Sequence, residues 1–137
     1  MAGEKLFENR VKRFLESEGV YPAGCPAQKM DGPLRGWYFK VWGGGFQKEG
    51  IPDLILNVNG FFLGVELKSE RGRPSPIQKK NVSMINRSGG IGIILYPSGF
   101  EDFRQIVREV KACSSAIPGL SATKAAHTST GCAIWTG

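Results

Sequence analysis

Pro52-Asp53-Leu54-Ile55-Leu56-Asn57-Val58, then Asn59-Gly60, then Phe61-Phe62-Leu63-Gly64-Val65-Glu66-Leu67-Lys68 is the stretch that decides the fold. Two apolar, β-prone runs flank an Asn-Gly dipeptide. A type I′ turn needs positive φ at both central residues, which Asn and Gly tolerate best, so the pattern predicts a two-residue hairpin. With Asn59 and Gly60 as the loop, Val58 pairs with Phe61 and position 53 falls opposite position 66. Strand side chains alternate between faces. One face then carries Asp53, Ile55, Asn57, Phe62, Gly64, Glu66 and Lys68. The other carries Leu54, Leu56, Val58, Phe61, Leu63, Val65 and Leu67, all apolar, and must pack into a core.

Carboxylates directly opposite one another in a hairpin have Cβ atoms roughly 5 Å apart and repel. A sequence selected for stability alone would avoid Asp53 facing Glu66. A divalent cation between them turns the repulsion into a binding site, because Mg²⁺ takes hard oxygen ligands, commonly one or two carboxylates plus water and substrate phosphate. The ammonium of Lys68 beside them can hold a water or a phosphate oxygen. The trio reads as a site for phosphodiester hydrolysis.

A chain of 137 residues fits one domain with a single core. No apolar run approaches the length of a membrane span, and the charged, amphipathic N-terminus does not read as a signal peptide. Cys25, Cys113 and Cys132 are odd in number and lack a Cys-x-x-Cys spacing, which argues against a zinc site or a disulfide framework and makes a reducing cytoplasm the expected setting. The net charge of +6 fits a polyanionic partner. Lys68, Arg71, Arg73, Lys79 and Lys80 crowd residues 68–80 against the single acid Glu70, close to the carboxylate pair. With Lys40, the basic residues Arg71, Arg73, Lys79 and Lys80 are candidate phosphate contacts, although each alone is equally well read as a solvated surface charge.

Outward from the hairpin, residues 4–18 show helical spacing with Phe7, Val11, Phe14 and Leu15 on one arc and Glu8 at its edge. Residues 19–36 are rich in Pro and Gly and read as a loop. Residues 37–42, Trp-Tyr-Phe-Lys-Val-Trp, read as a strand, its aromatics expected in the core and not as base-stacking platforms. Gly43-Gly44-Gly45 follows, a turn or a place where a nucleic-acid strand comes close. Ser75-Pro76-Ile77-Gln78 opens a helix that runs to about Arg87 and stops at Gly89-Gly90. Residues 91–96 form a wholly apolar strand, and Ser98-Gly99-Phe100-Glu101 reads as a second capping box before a helix with Phe100, Phe103, Ile106, Val107 and Val110 inward. The order α-β-β-β-α-β-α gives an α/β sandwich, a mixed four-stranded sheet flanked by helices, with the last strand parallel to the Glu66 strand. Residues 1–112 form the domain. Residues 113–137, mostly Ala, Ser, Thr and Gly, read as a C-terminal tail outside the core, of a composition that favours disorder.

Pro52-Asp53, twelve intervening residues and Glu66-Leu67-Lys68 resemble the PD-(D/E)xK signature of the restriction-endonuclease-like nucleases. Glu8, Gly50-Ile51-Pro52-Asp53-Leu54 and Gly72-Arg73-Pro74-Ser75-Pro76-Ile77-Gln78 narrow the resemblance to the VRR-Nuc (virus-type replication-repair nuclease) branch, over roughly residues 4–111. Small stand-alone members of that branch are common in phages and bacteria. The resemblance implies a restriction-endonuclease-like sandwich and a DNA endonuclease of repair or recombination. Its substrates would be branched DNA such as junctions or flaps, cut by a homodimer. It also implies Mg²⁺ or Mn²⁺ held by Asp53, Glu66 and the backbone carbonyl of Leu67, with Glu8 reaching the metal through water. Lys68 would position the attacking water and stabilise developing charge, and Gln78 would orient Lys68 or the nucleophile.

Blander readings stand beside these. Asp53 after Pro52 is also an ordinary turn aspartate, and Glu66 with Lys68 an ordinary polar stripe. Gln78 is also the third residue of a capping box, free to bond the backbone of Ser75. Glu8 is also an i,i+4 partner of Lys12. Two other functions remain open on the sequence: a non-catalytic nucleic-acid-binding module, and a nuclease acting on RNA.

Overall fold

The computed structural model describes residues 2–42 and 49–113. The hairpin takes the register that Asn59-Gly60 dictates. Strands β3 (Leu54–Val58) and β4 (Phe61–Leu67) run antiparallel, with Val58 opposite Phe61 and Leu54 opposite Val65. Asn59 and Gly60 have φ of 54° and 87°, the pair of positive angles that a type I′ turn requires. The Asn59 side chain also ties the bend to the C-terminal end of α3 (Phe100–Ala112), donating to the carbonyls of Val110 (3.0 Å) and Cys113 (2.8 Å).

The sheet has five strands, in the order β1 (Val20–Pro22), β2 (Gly36–Lys40), β3, β4 and β5 (Ile91–Leu95). The central pairings are antiparallel, whereas β1 on β2 and β5 on β4 are parallel. The expected four-stranded sheet is thus corrected by one strand. Val20–Pro22 lies in the stretch read as a loop, and three residues ending in proline are too short for a visible alternation. Yet Val20 is fully buried, opposite Gly36. β2 begins at Gly36 and ends at Lys40, so Val41 and Trp42 lie beyond it.

One face of the sheet forms the core. Leu54, Leu56, Val58, Leu63, Val65 and Leu67 pack with Phe7, Val11, Phe14 and Leu15 of α1 (Ala2–Ser17) and with Phe100, Phe103, Val107 and Val110 of α3. Each such side chain contributes roughly 1.5–3 kcal/mol on burial. On the opposite face, α2 (Pro76–Arg87) lies over β4 and β5. Gly64 and Gly92 sit side by side beneath it; a Cβ on Gly92 would come 2.6 Å from the Val82 carbonyl oxygen.

Because α2 covers only the β4–β5 half, the outward side chains of β2 are left open. Trp37 and Phe39, expected in the core, are 45% and 38% exposed, and Trp42 is 67% exposed; the buried aromatic of β2 is Tyr38. The second capping box is also absent. Ser98 lies inside a 3-10 turn (Pro97–Gly99), which makes Gly99 the N-cap, and its hydroxyl donates to Glu70 instead. Cys25 is a free thiol, but Cys113 is disulfide-bonded, which corrects the reading of the cysteines at that position. The glycine run 43–45 and the tail from 114 onward lie outside the described residues. Among those described, no helix is long and apolar enough to cross a membrane.

The close approach of α2 has a measurable consequence. Gly92→Ala is expected to lower stability by about 1–3 kcal/mol, since the new methyl meets backbone that cannot rotate away. Urea denaturation with an unchanged m-value checks this, and a neutral substitution would mean that α2 stands further from the sheet.

Candidate active site

Asp53 stands at the mouth of β3, immediately before the last paired residue, Leu54. Its Oδ2 accepts a hydrogen bond from the Leu67 amide at 2.9 Å, so a side chain takes over where the backbone ladder ends. Behind it, Gly50 holds φ of 78° and sits so close to α2 that a Cβ would come 2.8 Å from Ile77. Glu66 is the penultimate residue of β4, and its side chain is 3% exposed. Lys68 follows directly, its amide bonded to the Leu95 carbonyl and its Nζ 3.3 Å from Glu66 Oε2.

Gln78 forms the cap and also reaches the site, where its partner is Glu66 and not Lys68. The capping box of α2 forms in full: Ser75 Oγ accepts from the Gln78 amide at 3.2 Å, and Gln78 Oε1 accepts from the Ser75 amide at 2.8 Å. A backbone N–H can only donate, so Oε1 must face it and Nε2 must point away. Nε2 then donates to Glu66 Oε2 at 2.9 Å. The cap therefore fixes the orientation of the amide that grips Glu66.

Glu66 Oε2 thus has two donors, while Glu66 Oε1 is buried with no donor, and the Asp53 carboxyl is close enough to hydrogen-bond Glu66 when one of the two holds a proton. Leaving a carboxylate oxygen buried and unsatisfied is costly. The titration of the pair follows. Burial, and then the charge of Asp53, push Glu66 from 4.5 up to about 7, against the opposing pull of Lys68. Burial also raises Asp53, partly offset by the Leu67 amide and the Lys68 charge. Without a cation the pair holds a proton well above the ordinary carboxylate range.

Glu8 is placed differently. It is buried and bonded to Lys12 (2.8 Å), Lys5 (3.2 Å) and Lys40 rather than to Asp53 or Glu66. Burial alone would raise its pKa, but the hydrogen bonds from Lys12, Lys40 and Lys5 prevail and lower it to about 2. The i,i+4 pairing with Lys12 is realised. Lys40, a candidate phosphate contact, pairs with Glu8, and its ammonium lies 4.8 Å from the Trp42 ring. Its charge still lowers Asp53, so it serves the site at longer range. Glu4, which sequence reasoning passed over, is near enough for its charge to raise Asp53. The signal was available, because Glu4 precedes Glu8 by one helical turn on the same face.

Of the remaining basic candidates, Arg71 and Arg73 line an open groove with Glu70, Gly72, Tyr96 and Ser98. Lys79 and Lys80 are exposed on α2. Among the described residues, no three His, Cys, Asp or Glu side chains gather as a ready metal cage. Two carboxylates suffice for an ion that keeps water and substrate oxygens in its shell. Comparison of the chain with family models, with curated proteins and with solved structures finds no match.

The raised Glu66 pKa fixes the sign of a pH effect. The folded protein binds a proton that the unfolded chain has released between pH 4.5 and about 7, so stability falls as pH rises through that window. In metal-free buffer the wild type is expected to lose on the order of 2–3 kcal/mol between pH 5 and pH 8, and Glu66→Gln much less. Glu8 acts lower, its stabilisation being lost as pH falls from 4.5 toward 2. Urea titrations at the two pH values measure the difference; a wild type as stable at pH 8 as at pH 5 would mean that Glu66 is ionised without help.

Proposed function

We propose that this protein is a metal-dependent nuclease that hydrolyses phosphodiester bonds in DNA. The observation that carries this reading is the buried Glu66 facing the half-buried Asp53, with no donor on Glu66 Oε1 and the Lys68 ammonium alongside. Such a pair has two stable conditions: protonated, or neutralised by a cation. A hard divalent ion, Mg²⁺ or Mn²⁺, fits the all-oxygen donors and would supply Lewis acidity toward a phosphoryl oxygen and a bound water of lowered pKa.

Asp53 and Glu66, joined as the resemblance implies by the Leu67 carbonyl, would hold the ion. The Leu67 amide keeps Asp53 turned toward Glu66. Lys68 places a positive charge where a phosphorane oxygen develops charge. Gln78 acts on Glu66, to which it donates, and so positions a ligand rather than the nucleophile. Glu8 holds Lys40 beside Asp53, which keeps a second cation at the rim.

The VRR-Nuc resemblance, its restriction-endonuclease-like sandwich, branched DNA as substrate and a homodimeric assembly belong to the same proposal. The parallel edge strand β1 is an addition to the four-stranded pattern expected for it, and it lies at the far side of β2 from the carboxylates. The net charge of +6 and the exposed Lys79 and Lys80 suit a phosphate backbone.

Purified protein incubated with supercoiled, linear and four-way-junction DNA, and in parallel with RNA, is expected to cut DNA only when Mg²⁺ or Mn²⁺ is present. Asp53→Asn and Lys68→Ala should each reduce the rate by about 100-fold or more. In metal-free buffer Asp53→Asn should leave stability unchanged or raise it by up to about 1 kcal/mol, because an amide oxygen still accepts from Leu67 while the repulsion is gone. A folded wild type that nicks no polymer with either metal rejects the enzyme. DNA binding that survives Asp53→Ala without cleavage would indicate a non-catalytic module.

A further inference from the structure

On the same sheet face as Asp53 and Glu66 lies a group of exposed aromatic side chains, Trp37 and Phe39 on β2 beyond α2 and Phe62 on β4 at the end of that helix. The register places Trp37 opposite Asn57 and Asn57 opposite Phe62, in one row across β2, β3 and β4. Phe39, opposite Ile55, lies in the row nearer the site. Trp37 and Phe62 are 45% and 46% exposed, and the Trp37 and Phe39 rings are 5.3 Å apart between centroids. Among the described residues no helix covers β2 on this face. Three large aromatic rings in water is an arrangement that a stable monomer has no need of.

The charges around the patch say what fits it. Its own rows contain no charged residue until Asp53 and Glu66 are reached. The bordering helix α2 carries Lys79, Lys80 and Arg87 and no acid. On the patch side that helix presents the uncharged Ile77 and Asn81, and an aromatic floor that runs from there toward the Lys68 ammonium matches a molecule with flat apolar rings and a negative backbone. The Lys68 ammonium at the end of the floor, on a chain of net charge +6, favours a polyanion over a second, equally basic copy.

We propose that this open face is a stacking platform for unpaired bases, on which Phe39, Trp37 and Phe62 receive the nucleotides next to the phosphate held at Lys68. Phe39 lies two strand residues along from the Asp53 row and Trp37 four, roughly 7 and 13 Å at the rise of a strand. Those distances are within reach of the neighbouring nucleotides of the same strand. Bases in a duplex are stacked on each other and present no free faces, so the platform selects single-stranded or frayed segments. It deepens the nuclease reading by naming the feature of the substrate that is recognised: unpaired nucleotides flanking the scissile bond.

The test separates recognition from chemistry by measuring binding without metal, in EDTA, on the Asp53→Asn background. The probes are a fluorescein-labelled 12-mer of deoxythymidylate and a blunt 12-base-pair duplex. Stacking on an aromatic is expected to make Trp37→Ala weaken single-strand binding by roughly 5- to 100-fold while changing duplex binding less than twofold. Trp37→Phe should restore most of the affinity and lose the quenching of tryptophan fluorescence that stacking produces in the parent. Phe39→Leu, which keeps an apolar strand residue, should weaken the single strand in the same selective way if Trp37→Ala fails to fold. Equal losses on both probes, or no loss on either, overturn the platform. So does sedimentation showing that Trp37→Ala turns a dimer into a monomer, which would assign the face to a second copy. If these binding results hold but wild type with Mg²⁺ cuts nothing, the nuclease reading fails and the platform stands.

Discussion

Glu66 is buried opposite a second acid, and the surrounding structure is arranged around that fact. A carboxylate out of water needs a proton, a counter-charge or a full set of donors. Glu66 has donors on one oxygen only, from Gln78 and Lys68, and its other oxygen is unsatisfied. The fold supplies the rigidity to keep it so. The Asn59-Gly60 bend sets the register that brings Asp53 to Glu66, and Gly64 and Gly92 let α2 approach closely enough for Gln78 to reach over the sheet.

The sheet divides its work between faces. One face is apolar from Leu54 to Leu67 and is sealed by α1 and α3, whose Phe7, Phe14, Phe100 and Phe103 rings meet edge to face. The other carries the carboxylate pair under the N-terminal turn of α2 and the exposed aromatics where α2 does not reach. Glu8 and its lysines form a separate cluster, with Glu8 and Lys12 on α1, and the charge of Lys40 links that cluster to Asp53. Burial raises both acids, but the buried Glu8 is stabilised by three cations, whereas the buried Glu66 has one and faces the charge of Asp53, which is why their pKa values diverge in opposite directions from the same starting point.

The hairpin, its register and its core face were legible because an Asn-Gly bend has few geometries and a period of two is unambiguous over fourteen positions. The arcs of α1 and α3 were legible for the same reason at helical spacing. β1 was not, since three residues ending in proline carry no period. The exposure of Trp37 and Phe39 was not legible either: aromatic content marks a strand, but whether a helix covers it depends on how far α2 extends, which is a tertiary fact. Ser98 misled as a cap because a 3-10 turn displaced the helix start by one residue. At the site, the pairing of Asp53 with Glu66 and Lys68 could be derived, while the pairing of Glu8 with Lys40, distant in sequence, could not.

The most direct measurement of the central claim is a crystal of the protein soaked in Mn²⁺ and recorded at the manganese absorption edge. One anomalous peak is expected in direct contact, roughly 2.1 Å, with an oxygen from each of Asp53 and Glu66, with Glu66 Oε1 among the ligands. Saturating Mn²⁺ that leaves the space between the two carboxylates without a peak, and Glu66 Oε1 without a partner, would contradict the claim that this acid pair exists to hold a cation.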